Sequence, residues 1–573
     1  MSFFHRSHPH QGLRRHVLSA WLLIAALLTL VVPSLPQARA AAKTVHFSTS
    51  IGSITTGMLS KSTVTHSRAR RLQPTSRHQQ ALPFHSPYAT RQQHAMQASA
   101  ANFTANAPSA AGVASVGTST SIVHNFEGLT AVDQTNFNFF DVVPPDQALC
   151  SNSGYVLEAV NSVMNVYNSS GLTQTGGNSL VTTFESLSAD AVTDPRCYYD
   201  PTSKTWFLVL LAYDSFLSSE SHLDVAVFTN PLDVSSWMIY HLDTTDASNP
   251  GCPCLGDQPL LGVDAHGFFL STNEFDLATG TMFKGAQVYA VDKKQLVAKA
   301  SSVYYVHYHG ITNGGTLAAS MEPAITRSTS PAEYFLDSLD PNGTTDNRLG
   351  VWAITNDAVL DTKGIPTMWG IVITSQTYGQ PPNALQKGTT NLLQTDDDRM
   401  LQVQNVNGTL WSSLDTVVHV SSDTANRAGA AWFKIVPKLN TSNPPKISGA
   451  TISAQGIVAS SGRYVLYPAV AVNDINDAAM VFSESGSTIY PSIYYATGPT
   501  LTTTALVVTG STFDKGFTCS PCRWGDYSAA LWSDQVTGTR QPYIWMASSY
   551  IADSGDGISN WSTHVAEVVP QGG

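Results

Sequence analysis

The stretch Cys519-Ser-Pro-Cys-Arg-Trp-Gly-Asp-Tyr-Ser528 gathers two thiols, a guanidinium, a carboxylate and a phenol within ten residues. Those groups could serve redox chemistry, half of a metal centre, acid/base catalysis, or the start of a buried strand. Acids recur in similar settings at Asp146, Asp194, Asp257, Glu322, Asp398 and Asp526, with Arg196, Arg327, Arg399 and Arg523 a few residues away. Two carboxylates at a suitable separation can hydrolyse glycosides, and Asp257, Glu274 and Asp526 are the candidate acids for that chemistry. Arginines this close to acids are better suited to pinning one element to the next than to gripping a free carboxylate. The same set, with Tyr527, is the candidate binding surface: Asp146, Asp194, Arg196, Asp257, Glu322, Arg327, Asp398, Arg399, Arg523, Asp526 and Tyr527.

Six cysteines, Cys150, Cys197, Cys252, Cys254, Cys519 and Cys522, predict disulfides if the chain is exported. The competing reading is a four-thiolate zinc site made from CPC and CSPC, whose spacing does not suit a single knuckle. All six lie near the starts of the strands discussed below, so the bridges are expected to brace loops on one face. A redox role for CSPC lacks the βαβ context such motifs need. His307 and His309 of HYHG are read as surface polar residues in place of metal ligands. Thr395-Asp-Asp-Asp-Arg399 lacks the alternating spacing of a calcium loop and is read as a solvated strand entrance. No metal or cofactor is expected, with one alternative: a calcium ion could balance acids gathered at one place.

The elements that must position these residues are strands. Runs such as TWFLVLLAY, HGFFLSTNEF, AQVYAVD, AAWFKIV and YIWMASSY are short, β-branched or aromatic, and bounded by Gly, Asn, Asp and Pro. A repeated grammar joins them: an acid or Pro opens an apolar strand, an Asp or Asn closes it (Asp200, Asp264, Asp474, Asp534), and a longer apolar strand returns. Starts fall near 146, 194, 257, 322, 398, 468 and 526. Such a period predicts an all-β fold, a single β-propeller with seven blades by repeat count, or six if a weak unit is misassigned. An open ring would leave a sheet edge exposed, so Ser562–Val569 or Ser121–Leu129 should close it. The acids at one phase of the inner strands would then share one mouth of the channel, neutralised by arginines and loop amides.

The segments VVPPDQALCSNSGYVLEAVNSVMNVYNSSG, GVDAHGFFLSTNEF, YPAVAVND and RWGDYSAALWSD resemble a group of largely uncharacterised secreted bacterial propeller-like proteins, distantly similar to sialidase-type propellers. The likeness spans roughly Asp141 to Val569 and implies fold and export; it carries no activity. Sialidases share three carboxylate-gripping arginines, a Tyr-Glu nucleophile pair, an acid/base Asp and Asp-box turns. Here Asp200-Pro-Thr-Ser-Lys-Thr-Trp206 comes nearest to an Asp box, without its Gly or spacing.

Compartment follows from the N-terminus. A basic start, the apolar run Val17–Val32 and Ala38-Arg39-Ala40 make an export signal over residues 1–40. The run is shorter than the ~20 residues of a spanning helix. No acid precedes Glu127, while eleven of the 30 Lys and Arg do; the remainder sets 19 basic against all 41 acidic residues. Residues 41–120, rich in Ser, Thr, Ala and Gln, are expected to be a disordered basic segment, and 121–573 the folded domain. The basic stretch Ser67–Arg77 is read as an envelope tether or pro-segment without a nucleic-acid role. The expected protein is a monomeric, secreted or cell-surface propeller presenting a ligand-binding face for an envelope polysaccharide or another surface protein, without enzymatic activity. The alternative is an extracellular glycoside hydrolase of sialidase-like architecture.

Overall fold

Strand-forming residues dominate the computed structural model, which describes residues 44–45, 49–61, 107–110 and, with short interruptions, 122–570. The export signal at 1–40 and the basic stretch 67–77 lie outside the described residues. Each anticipated start falls in or beside the first strand of an antiparallel run: Gln147–Ser151, Asp190–Asp200, Cys254–Val263, Glu322–Thr326, Met400–Val406, Arg463–Val472 and Ala529–Trp532. Up-and-down partners follow each one, as in Asp190–Asp200, Thr205–Asp214, Ser221–Phe228 and Met238–Asp243. The last run takes its fourth strand from the other end of the domain. Ile122–Thr130 pairs antiparallel with Ser562–Val568, so both closing candidates stand side by side in one sheet.

First strands neighbour one another in sequence order, and Ala529–Trp532 lies against Gln147–Ser151. Where they pair they are parallel, as at Val263 with Ile325 and Ala324 with Val403. Parallel neighbours bring their starts to one end, which is what gathers the acids.

A local device recurs at those starts. Asp194, Gln258 and Tyr467 have φ of 51°, 50° and 51°, and each precedes a proline: Pro195, Pro259 and Pro468. Strand register slips at each of these places. Proline has no N–H to give the ladder, so the chain bulges and re-aims the preceding side chain. Turns closing these hairpins are held by short polar side chains: Asp264 accepts from the N–H groups of His266 and Gly267 at 2.9 and 2.7 Å, and Asn473 from Ile475 and Asp477 at 3.0 and 2.9 Å. Asp474 and Asp534 lie outside the described residues.

Apolar faces are buried between successive sheets; Trp206, Trp352, Trp432 and Trp545 are fully enclosed, and Phe228 stacks on Trp237 with ring centroids 3.8 Å apart. Aromatic pairs of this kind add ~1 kcal/mol beyond burial.

Part of the segment expected to be disordered is a strand. Ser53–Lys61 pairs with Ser302–His309 along its length and touches Met238–Asp243 at its end. Its alternating Ile54, Thr56, Met58 and Ser60 carry little charge, and the pairing covers outer-strand edges that would otherwise be exposed. The strand it covers holds His307, which is buried, stacked on Tyr289 and hydrogen-bonded to Gln287, so it is no surface residue. Burial pushes its imidazole down to about 3.

Candidate functional site

Asp526 sits three residues after Arg523, and both oxygens accept from the same guanidinium nitrogen at 2.8 and 2.7 Å. The backbone N–H of Asp526 donates to Asp146 Oδ1 at 2.9 Å. Burial pushes the Asp146 carboxyl well above the usual range, helped by the charges of Asp526 and Asp194 and opposed by Arg523. Burial and Asp257 raise Asp194 to about 6, against Thr193, Arg196 and Arg523. Burial and Asp526 raise Asp257 to about 6, against Arg399 and Arg523. Asp526 itself rises to about 7 through burial, with Arg523 opposing and Asp396 and Asp194 adding to the rise. These mutual influences define one cluster at the shared end of the inner strands. Asp257, Asp396 and Asp526 keep partial exposure there, while Asp146 and Asp194 are buried.

The arginines are engaged differently from the sequence reading. Arg399 binds Asp397 through Nε and a terminal nitrogen, both at 2.6 Å, reaches Asp396 at 3.2 Å, and donates to Gln258 Oε1. Its partners are thus Asp396 and Asp397, and the run Thr395–Arg399 is largely buried, so the solvated-entrance reading fails. Arg196 does not ion-pair with Asp194. Its guanidinium lies over the Tyr527 ring at 3.5 Å and its Nε donates to the Pro259 carbonyl at 2.9 Å, while Tyr527 donates to the Pro195 carbonyl at 3.1 Å. The bulges at Pro195 and Pro259 supply those two carbonyls, which sequence spacing could not show. Arg327 lies 4.5 Å from the Trp532 ring.

Two expected members stand apart. Glu322 is buried beside Arg196 and rises to about 7 through burial, with the arginine opposing. Glu274 is wholly buried on a second strand, accepts from the Thr272 hydroxyl at 2.5 Å, and is raised by burial to about 8. Enclosed in this way, it cannot meet a substrate alongside Asp257 and Asp526. Asp398 is buried as well. The sequence reading missed Gln258, Asp396, Asp397 and Tyr467; the recurring X-Pro at the strand starts was the available signal for Gln258 and Tyr467.

Beneath the acids, Gln147, Arg196, Glu322, Gln402, Ser528 and Trp532 line a cavity of about 50 Å³. That is room for a few waters.

The cysteines form Cys150–Cys197, Cys252–Cys254 and Cys519–Cys522. The four thiols of the zinc alternative are paired with one another, Cys252 with Cys254 and Cys519 with Cys522. Only Cys150–Cys197 ties two first strands together, with Cα atoms 5.5 Å apart; the other two bridges are local, which corrects the general bracing role expected of them. Among the described residues no helix is long and apolar enough to cross a membrane.

No protein-family profile matches the chain, and no curated protein does. Solved structures similar to it include a protein of unknown function from Dyadobacter fermentans, with 12% identity, a TM-score of 0.29, and coverage of 66% of this chain and 94% of that one. An exo-β-1,3-galactanase from Clostridium thermocellum has 11% identity, a TM-score of 0.29, and coverage of 79% and 96%. A Trypanosoma rangeli sialidase has 9% identity, a TM-score of 0.32, and coverage of 73% and 59%.

Proposed function

We propose that this chain is an exported seven-bladed β-propeller whose acid-rich channel mouth binds an extracellular polysaccharide without cleaving it. The observation that carries this reading is the state of the mouth: Arg523, Arg399 and Arg196 are held by Asp526, Asp397 and Tyr527, while Asp257, Asp396 and Asp526 stay partly exposed. Carboxylates so placed accept hydrogen bonds from neighbouring sugar hydroxyls, and charged acceptors make the stronger bonds. No arginine among these three is left to grip an acidic sugar. The test is binding of the secreted protein to a panel of cell-envelope and extracellular glycans. Neutral or amino-sugar polymers should bind, and Asp257→Asn should weaken binding at least tenfold. Binding to no glycan, or unchanged binding by the variant, would refute the proposal, and selective capture of one surface protein would shift the ligand class.

A hydrolase reading is favoured by one observation. Asp257 and Asp526 lie in the same acid cluster, burial raises both carboxyls, and the Asp526 charge raises Asp257 further, the kind of coupling from which an acid and a base can be drawn. Release of reducing ends from a bound glycan, lost in Asp526→Asn with binding retained, would establish it. Export is tested by mass spectrometry of the secreted protein, which should begin after Ala40; an intact Met1 in a membrane fraction would refute it.

A further inference from the structure

Away from the mouth, His222 and Asp224 stand two residues apart on the strand Ser221–Phe228, and Asp224 is directly opposite His241 on Met238–Asp243. Residues two apart share a face of a strand, and opposed residues share it across the ladder. The three side chains therefore converge. Nδ1 of His222 lies 2.8 Å from Asp224 Oδ1, Nδ1 of His241 meets the same oxygen, and the two rings stand edge to face at 5.2 Å. Asp224 is fully buried, and its other oxygen, Oδ2, has no hydrogen-bond partner.

We propose that His222, Asp224 and His241 bind one divalent transition-metal ion, with zinc as the expected occupant. Two imidazole nitrogens and one carboxylate oxygen are a zinc donor set, and three protein ligands leave a fourth position for water. Calcium would require six or more oxygens. Tetrahedral bonds of ~2.0–2.2 Å separate two ligand atoms by about 3.3 Å, so His222 Nδ1 and Asp224 Oδ1 need to part by about half an ångström, and His241 Nδ1, which lies closer to the same oxygen, by more. Binding uses the Nδ1 lone pairs, so each ring then carries its proton on Nε2. Bidentate contact by the Asp224 carboxylate would also bring the buried Oδ2 onto the ion, and an unsatisfied buried carboxylate oxygen is otherwise costly. His241 keeps 23% of its side chain exposed, which gives the ion an entry path.

The test uses the secreted full chain, stripped with a chelator, dialysed against zinc and analysed for metal, with cobalt(II) absorption as a second readout. The wild type should retain a zinc ion that raises its melting temperature, and cobalt should give the intense visible bands of a four-coordinate site. His241→Gln, at a partly exposed position, should keep the fold and bind zinc at least tenfold more weakly; Asp224→Asn should lose the site. Zinc retained equally by both variants would locate it elsewhere, for example on the N-terminal histidines, and would overturn the proposal. Absence of zinc and of the cobalt bands in the wild type would do the same.

Discussion

Asp146 Oδ1 accepts a hydrogen bond from the backbone N–H of Asp526 at 2.9 Å, across 380 residues of chain. That bond links the loop entering the first run of strands to the loop entering the last. It lets a buried carboxylate sit beside other acids by giving it a fixed donor.

Replacing Asp526 with Asn removes the charge that holds Arg523. A buried pair broken on one side costs about 3 kcal/mol or more, so Asp526→Asn should lower stability by about that amount with or without calcium. Chemical denaturation in calcium and in chelator measures it. A calcium-dependent stabilisation of the wild type that vanishes in the variant would instead make this mouth a calcium site.

Stability should fall as pH rises from about 6 to 8.5. Glu158 and Glu322 are raised to about 7, and Glu274 to about 8, in each case first of all by burial. Between their ordinary values near 4 and these raised values the folded chain holds more protons than the unfolded one. Their stabilising contribution is therefore complete below about 4 and is lost as pH climbs through 7 to 8. Burial lowers His307 to about 3 and His564 to about 4, which acts oppositely but only below about 6.5. Melting temperatures across this range check the sign, and a rising profile would contradict it.

Gly128 lies on the closing strand, where an added Cβ would come within 2.5 Å of the Glu158 carboxylate and 2.4 Å of the Thr563 hydroxyl. Glu158 accepts from the Leu129 N–H at 2.9 Å and from Thr563 at 2.6 Å, clasping the strand. Gly128→Ala should therefore cost about 1–3 kcal/mol, read by denaturation, with a matching rise in proteolysis near residue 122. An unchanged midpoint would show that this clasp does not support closure.

Cys150–Cys197 closes a loop across a sequence separation of 47. Replacing both residues with serine should lower stability by about 2–4 kcal/mol, whereas losing either local bridge should cost less. Thiol labelling of the denatured, unreduced protein should find no free cysteine.

The sequence by itself determined the strand class, the phase of the repeat and the positions of the starts, because β-branched runs, Asx turns and X-Pro bulges are written in neighbouring residues. It marked Asp146, Asp194, Asp257 and Asp526 as one set for the same reason. Their partners were a different matter. Arg399 choosing Asp397 and Gln258, Arg196 choosing the Tyr527 face, and His307 turning inward depend on bulges and on strands that meet only when the chain ends come together. The strand Ser53–Lys61 lacked a legible signal because its stability comes from an edge some 250 residues away. The cluster at Asp224 was equally silent, since only cross-strand register brings His241 opposite it. Local preference selects an element, whereas the partner of a buried charge is selected by whichever donor the folded chain carries to it.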